Sequence, residues 1–121
     1  MPADRASRAD CLFCRIVRGE VPSRTVADDE LMLAFHDIAP RSPTHLLVIP
    51  KVHIVSAADL TEDDGPLLGR IFATAARLAR EAGIADDGYR IVSNIGRSAG
   101  QSVDHLHFHL MGGRMFEWPP G

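Results

Sequence analysis

Cysteine, basic excess and long apolar runs are all scarce in this sequence. Two cysteines, Cys11 and Cys14, are too few for the disulfide framework that staples small secreted domains. Thirteen Lys and Arg face 16 Asp and Glu, a net charge of -3, so no basic footprint points to DNA or RNA as a partner. No stretch reaches the roughly 18 apolar residues that would span a bilayer, which argues against a membrane protein. The opening MPADRASRAD lacks the apolar segment of a secretory signal. Residues 1–10 therefore read as a disordered tail, and the expected location is cytoplasmic. Internal repeats and low-complexity tracts are also absent. What remains is a chain of 121 residues, 45% hydrophobic and 24% charged. That fits one domain, 11–121, with an ordinary core.

The pattern along the chain predicts an α+β domain. Leu12 to Arg18 reads as a short helix ended by Gly19. Arg24 to Ala27 and Leu31 to His36 read as a hairpin about an Asp28-Asp29 turn. Thr44 to Ile49 is an apolar run between prolines, hence a buried strand. Thr61 is a helix N-cap, with Asp63 and Asp64 where the helix dipole favours negative charge. Leu67, Leu68, Ile71, Phe72, Ala75, Leu78, Ala79 and Ala82 then recur at helical spacing up to Gly83, a natural stop. Tyr89 to Ser93 and Leu106 to Met111 are the last two strands. Hairpin-linked strands with one long helix give a mainly antiparallel sheet.

Chemistry concentrates near the C-terminus. In HLHFHL, His105, His107 and His109 alternate with Leu106, Phe108 and Leu110. Strand geometry puts the histidines on one face and the apolar residues on the other, against the helix. One metal ion is a poor explanation for all three, because strand residues i and i+4 are about 13 Å apart. The preceding Gly96–Ser102 loop, GRSAGQS, is rich in small residues, and its amides could approach an anion. It lacks the lysine of a P-loop. An imidazole nucleophile at phosphorus needs a neutral ring, a proton donor for the leaving group and anion-stabilising donors. Residues of those types all lie between Gly96 and His109. The C-x-x-C pair reads as half a zinc site or as a redox pair, and no βαβ pattern nearby favours the redox reading.

Beyond these features, the chain resembles the histidine-triad superfamily, specifically its Hint branch of nucleotide-binding proteins. The likeness rests on LAFHDI (33–38), PTHLLVIPKVHI (43–54), GYRIVSNIG (88–96), GQSVDHLHFHL (100–110) and GGRMFEWPPG (112–121). The WPPG ending points to the Hint branch rather than to the dinucleotide hydrolases. The resemblance implies a five-stranded sheet with one long and one short helix, and a homodimer with a continuous ten-stranded sheet. It also implies a purine nucleoside phosphoramidase that cleaves a P–N bond and yields AMP or GMP. His107 would be the nucleophile and form a nucleotidyl-histidine. The His105 carbonyl would accept from its Nδ1. His109 would contact the phosphate and help the leaving group depart, Ser102 would bind phosphate or leaving nitrogen, and His45 would support the cluster. Asn94, Gly100 and Gln101 match the phosphate surroundings. Asp37 matches a ribose-binding aspartate. Leu12, Phe13, Ile16, Phe35, His36 and Ile38 match the surroundings of the base.

Bacterial relatives with a C-x-x-C here bind zinc, and the matching positions are Cys11, Cys14, His53 and His105. The implied cofactor is a closed, structural Zn2+, with no catalytic metal. If His105 ligates zinc while its carbonyl orients His107, the metal buttresses the nucleophile. Two other readings stay open. One is a zinc hydrolase built on the H-x-H strand. The other is a nucleotide-binding regulatory or scaffolding module.

Overall fold

The computed structural model describes residues 4–121. In chain order the elements are α1 (Leu12–Val17), β1 (Thr25–Asp28), β2 (Met32–His36), β3 (Thr44–Pro50), α2 (Gly65–Glu81), β4 (Tyr89–Val92) and β5 (Phe108–Gly112). The strands form one five-stranded antiparallel sheet in the order β1-β2-β3-β5-β4. None of the helices is long and apolar enough to cross a membrane.

Strand alternation divides the core into two layers. Met32 and Ala34 of β2, Leu46 and Val48 of β3, and Phe108 and Leu110 of β5 face α2, meeting Ile71, Ala75, Leu78 and Ala79. Leu33, Phe35, Leu47 and Ile49 face the other way, against Cys11, Phe13 and Cys14 at the start of α1. The short helix thus covers the sheet face that carries the odd-numbered residues of β3 and β5, including His45 and His109. Burying each large apolar side chain in these layers contributes about 1.5–3 kcal/mol.

Helix α2 begins later than its cap. Thr61 and Asp64 cap each other reciprocally across a 3-10 turn at Glu62–Asp64, and Pro66 lies in the first turn of the helix proper. Gly83 ends it at φ +76°, a conformation that favours glycine. The buried Asp64 also takes a bidentate ion pair from Arg5, at 2.6 and 3.0 Å. That hydrogen bond, helped by the Thr61 amide, lowers the Asp64 carboxyl to about 2. The Arg5 carbonyl accepts from the His53 amide at 2.9 Å. The stretch expected to be disordered is therefore fastened to the domain from Arg5 onward, because a charged side chain finds a buried partner. Residues 1–3 of that expected tail lie outside the described residues.

The last strand starts two residues later than the expected Leu106. Continuing the β3–β5 register places Pro50 opposite Leu106, and proline has no N–H to extend the ladder. The Leu106 amide donates instead to the Ile54 carbonyl. His105 and His107 thus precede the strand, although Leu106 still packs under α2. At the far end, a Cβ on Gly112 would lie 2.6–3.1 Å from three atoms of Ile84. Gly112→Ala is expected to lower unfolding free energy by about 1–3 kcal/mol, through overpacking at the loop after α2. Urea unfolding checks this, and an additional Ile84→Val should recover part of the loss.

Candidate active site

The three alternating histidines go to three different neighbourhoods. His105 is fully buried, His107 nearly so, and His109 half-buried. The histidine face is thus neither open solvent nor a bare pocket, because α1 closes over it. Phe13 of α1 sets its ring edge-on to His107 at 5.2 Å, to His105 at 5.8 Å and to Phe35 at 5.6 Å.

Backbone groups determine where each imidazole carries its proton. His107 Nδ1 donates to the His105 carbonyl at 2.7 Å, which leaves the Nε2 lone pair free. The Ser93 hydroxyl donates to the His107 carbonyl at 2.9 Å and fixes the main chain there. The Arg41 amide donates to His45 Nδ1 at 3.0 Å, so neutral His45 holds its proton on Nε2. That Nε2–H donates to His109 Nδ1 at 2.8 Å. While that hydrogen bond is made, His109 carries its own proton on Nε2. Burial, followed by the neighbouring His107 and His45, lowers His109 to about 4. Burial also lowers His45, although Asp37 opposes it. Both rings are neutral near pH 7, so the 3.3 Å approach of His45 Nε2 to Asp37 Oδ2 is a close polar contact rather than an ion pair, with the N–H itself aimed at His109. The pair at 5.1 Å, His107 and His109, therefore offers one free ring lone pair and one ring N–H. That combination suits nucleophilic attack with proton donation to a leaving group.

His105 faces a second cluster. Its Nε2–H donates to the Pro50 carbonyl at 2.8 Å, which turns the Nδ1 lone pair toward Cys11 Sγ at 3.4 Å and Cys14 Sγ at 3.6 Å. His53 Nδ1 lies 3.2 Å from Cys14 Sγ. These four donor atoms all lie within 4.8 Å of one another, and the two cysteines are not disulfide-bonded. A tetrahedral metal with two thiolates and two imidazoles has S···N edges of about 3.5 Å, so the donor set fits such an ion. Burial pushes the Cys11 thiol up, which a bound cation would reverse. His53 Nε2 is the one buried side-chain nitrogen or oxygen without a partner among the described residues.

The HIT domain family profile matches residues 18–116. The chain belongs to the HIT family. A purine nucleoside phosphoramidase of Escherichia coli K12 is 45% identical over 105 residues, covering 87% of this chain and 88% of the relative. An uncharacterized HIT-like protein of Synechococcus elongatus is 46% identical over 112 residues, covering 93% and 97%. A crystal structure of a HIT family hydrolase from Legionella pneumophila superposes with a TM-score of 0.91 at 49% identity, covering 93% of this chain and all of that one. These relatives support a HIT hydrolase acting on nucleotides, with the five-stranded fold described above.

The HIT fold does not bring every expected residue to the histidines. Asp37 is there: Oδ1 accepts from the Ala39 amide at 2.8 Å, and Oδ2 faces His45. Phe13 and Phe35 are buried in the α1 layer, with Ile16 packed on it and Leu12 half exposed. Ile38 is 99% exposed in this single chain. His36 lies apart from these residues. One residue beyond Phe35 on β2, it points to the α2 side and lines a cavity of about 310 Å³ with Leu78, Glu81 and Ala82.

Asn94 and Gln101 use their amides to shape the loop. Asn94 Nδ2 donates to the Ala99 carbonyl at 2.7 Å. Gln101 accepts from the Gly96 amide at 2.9 Å and donates to the Val55 and Val103 carbonyls. Gly100 takes φ +87° beside the Asn94 side chain. Ser102 is exposed, and among the described residues no hydrogen bond joins it to His107. It lines a cavity of about 410 Å³ with Arg8, His53 and Asp104. The sequence reading missed Ser93, Arg5 and the backbone groups of Arg41 and Pro50. Main-chain donors and acceptors leave no mark on residue type, so only the position of Ser93 directly after β4 was a usable signal.

Proposed function

We propose that this HIT protein is a purine nucleoside 5′-phosphoramidase working through a nucleotidyl-His107 intermediate. The observation that carries this reading is the paired tautomers, a lone pair on His107 Nε2 beside an N–H on His109 Nε2. In the first step the His107 lone pair attacks the α-phosphorus and forms an N–P bond. The P–N bond to the leaving amine breaks with its electron pair on that nitrogen, which takes the His109 Nε2 proton. The phosphorylated His107 ring is left cationic and His109, still held by the His45 N–H, carries the matching negative charge until the second step. In the second step water attacks phosphorus, His109 Nε2 accepts its proton, and His107 leaves as the neutral ring. AMP or GMP is released. The Asp37 carboxylate would take the ribose hydroxyls, and amides of the Gly96–Ser102 loop would take the phosphate. Leu12, Phe13, Ile16 and Phe35 would flank the base. An apolar wall with few polar contacts discriminates bases weakly.

Cys11, Cys14, His53 and His105 would hold a structural zinc ion, which would tie the start of α1 to the histidine segment. A homodimer is part of the same proposal. β4 lies at a free sheet edge, and Trp118 in the adjoining tail is 84% exposed. Pairing would cover both.

One observation favours a rival, a metal hydrolase centred on Asp37, His45 and His109, whose donor atoms also lie within 4.8 Å of one another. The Arg41 amide already occupies the His45 lone pair, which weighs against it. The test is hydrolysis of a fluorogenic adenosine 5′-phosphoramidate with and without a chelator too weak to strip the buried four-donor site. Unchanged turnover is expected. Loss of turnover with chelator, restored by added metal, would favour the rival. A folded, nucleotide-binding protein with no hydrolysis at all would overturn the enzyme reading.

A further inference from the structure

We infer that His45 is a positioning residue whose single Nε2 proton is contested by His109 and Asp37, so that filling the Asp37 carboxylate strengthens the general acid. Three contacts meet at this ring. The Arg41 amide fixes the proton of His45 on Nε2, with N···Nδ1 at 3.0 Å. From that atom His109 Nδ1 is 2.8 Å away and Asp37 Oδ2 is 3.3 Å away. His45 is buried and its proton is given to His109 here, so when the ring tilts away from His109 the acceptor at hand is Asp37 Oδ2.

The division has a chemical consequence. A carboxylate is the stronger acceptor in principle, because hydrogen bonds to ionised groups are roughly twice as strong as neutral ones. When the proton leans toward Asp37, His109 Nδ1 loses its donor and its tautomer is no longer enforced. When donors satisfy the carboxylate, the His45 proton turns to His109 and holds the His109 proton on Nε2. Asp37 is only partly buried and already takes the Ala39 amide on Oδ1. It can still accept from a pair of adjacent hydroxyls. A vicinal diol is therefore the group that would operate the relay. This part rests on the nucleotide reading above. Binding at the sugar end would then raise kcat as well as lower KM.

Single-turnover cleavage of adenosine 5′-phosphoramidate and its 2′,3′-dideoxy counterpart tests this at saturation. In the wild type the dideoxy substrate should be cleaved about three- to tenfold more slowly. In Asp37→Ala the ratio of the two rates should fall to about one, because no carboxylate competes for the proton. A diol effect confined to KM, or a rate ratio that persists in Asp37→Ala, would overturn the relay.

A readout without turnover keeps the relay separable from the phosphoramidase reading. In nitrogen-15 spectra, adding AMP should move His109 toward a bare Nδ1 and a protonated Nε2. Asp37→Ala should show that state before nucleotide is added. A His109 proton on Nδ1 in the AMP complex, or shifts unmoved by AMP that binds, would sink the relay whether or not any phosphoramidate is cleaved. An enzyme that cleaves none while showing the AMP-dependent shift would refute the phosphoramidase reading and leave the relay standing.

Discussion

His107→Ala is expected to slow cleavage of an adenosine 5′-phosphoramidate by about 10⁴-fold or more, which is about 5.5 kcal/mol of activation free energy. The size follows from chemistry that no neighbour can replace. His107 Nε2 is the ring lone pair left free by the hydrogen bond to the His105 carbonyl. The lone pair of His109 is taken by His45, and that of His45 by the Arg41 amide. Rapid acid-free quenching of wild type with phosphorus-labelled substrate should trap label on protein as an acid-labile, base-stable phosphoimidazole. The variant should show none, yet still bind AMP. A folded His107→Ala retaining more than about one per cent of wild-type turnover would exclude a covalent histidine. His109→Ala should behave differently. Its loss should shrink when the leaving amine is a weak base that needs no proton, because His109 acts only on departure.

The second large effect is expected from Cys14→Ser. Cys14 is almost fully buried, and its sulfur lies against both His53 and His105. Wild type should bind about one zinc ion per chain and the variant close to none. Binding to the folded state alone adds its free energy to stability, so the melting temperature should drop by about 10 °C or more. Turnover should fall far less than in His107→Ala, with KM little changed. His105 explains the difference, since its ring is in the cluster while its carbonyl holds His107 Nδ1. Loss of the metal loosens that carbonyl but removes no reacting group. A zinc-free preparation with unchanged melting and unchanged turnover would refute both the site and its supporting role.

Much of this was legible in the residues alone. The helix over Gly65–Glu81 follows from a cap, an apolar stripe and a stopping glycine, all local features. Alternation in HLHFHL assigned Leu106, Phe108 and Leu110 to the helix layer, because strand side chains have a fixed period. Family likeness, rather than spacing, named the four donors that converge at Cys11, Cys14, His53 and His105.

The sequence by itself determined the element types, the two-faced sheet and the stock of imidazoles and thiols. Tertiary structure alone decided where each proton sits. His105 answers to a carbonyl 55 residues away, and His109 to a ring 64 residues away that is itself set by an amide. Long-range contact likewise decided that Arg5 anchors the tail, that Pro50 delays the last strand, and that His36 faces the long helix. The physical reason is common to all of these. Periodicity and capping act between near neighbours along the chain. Tautomers, ion pairs and strand ends depend on which backbone groups folding brings within about 3 Å.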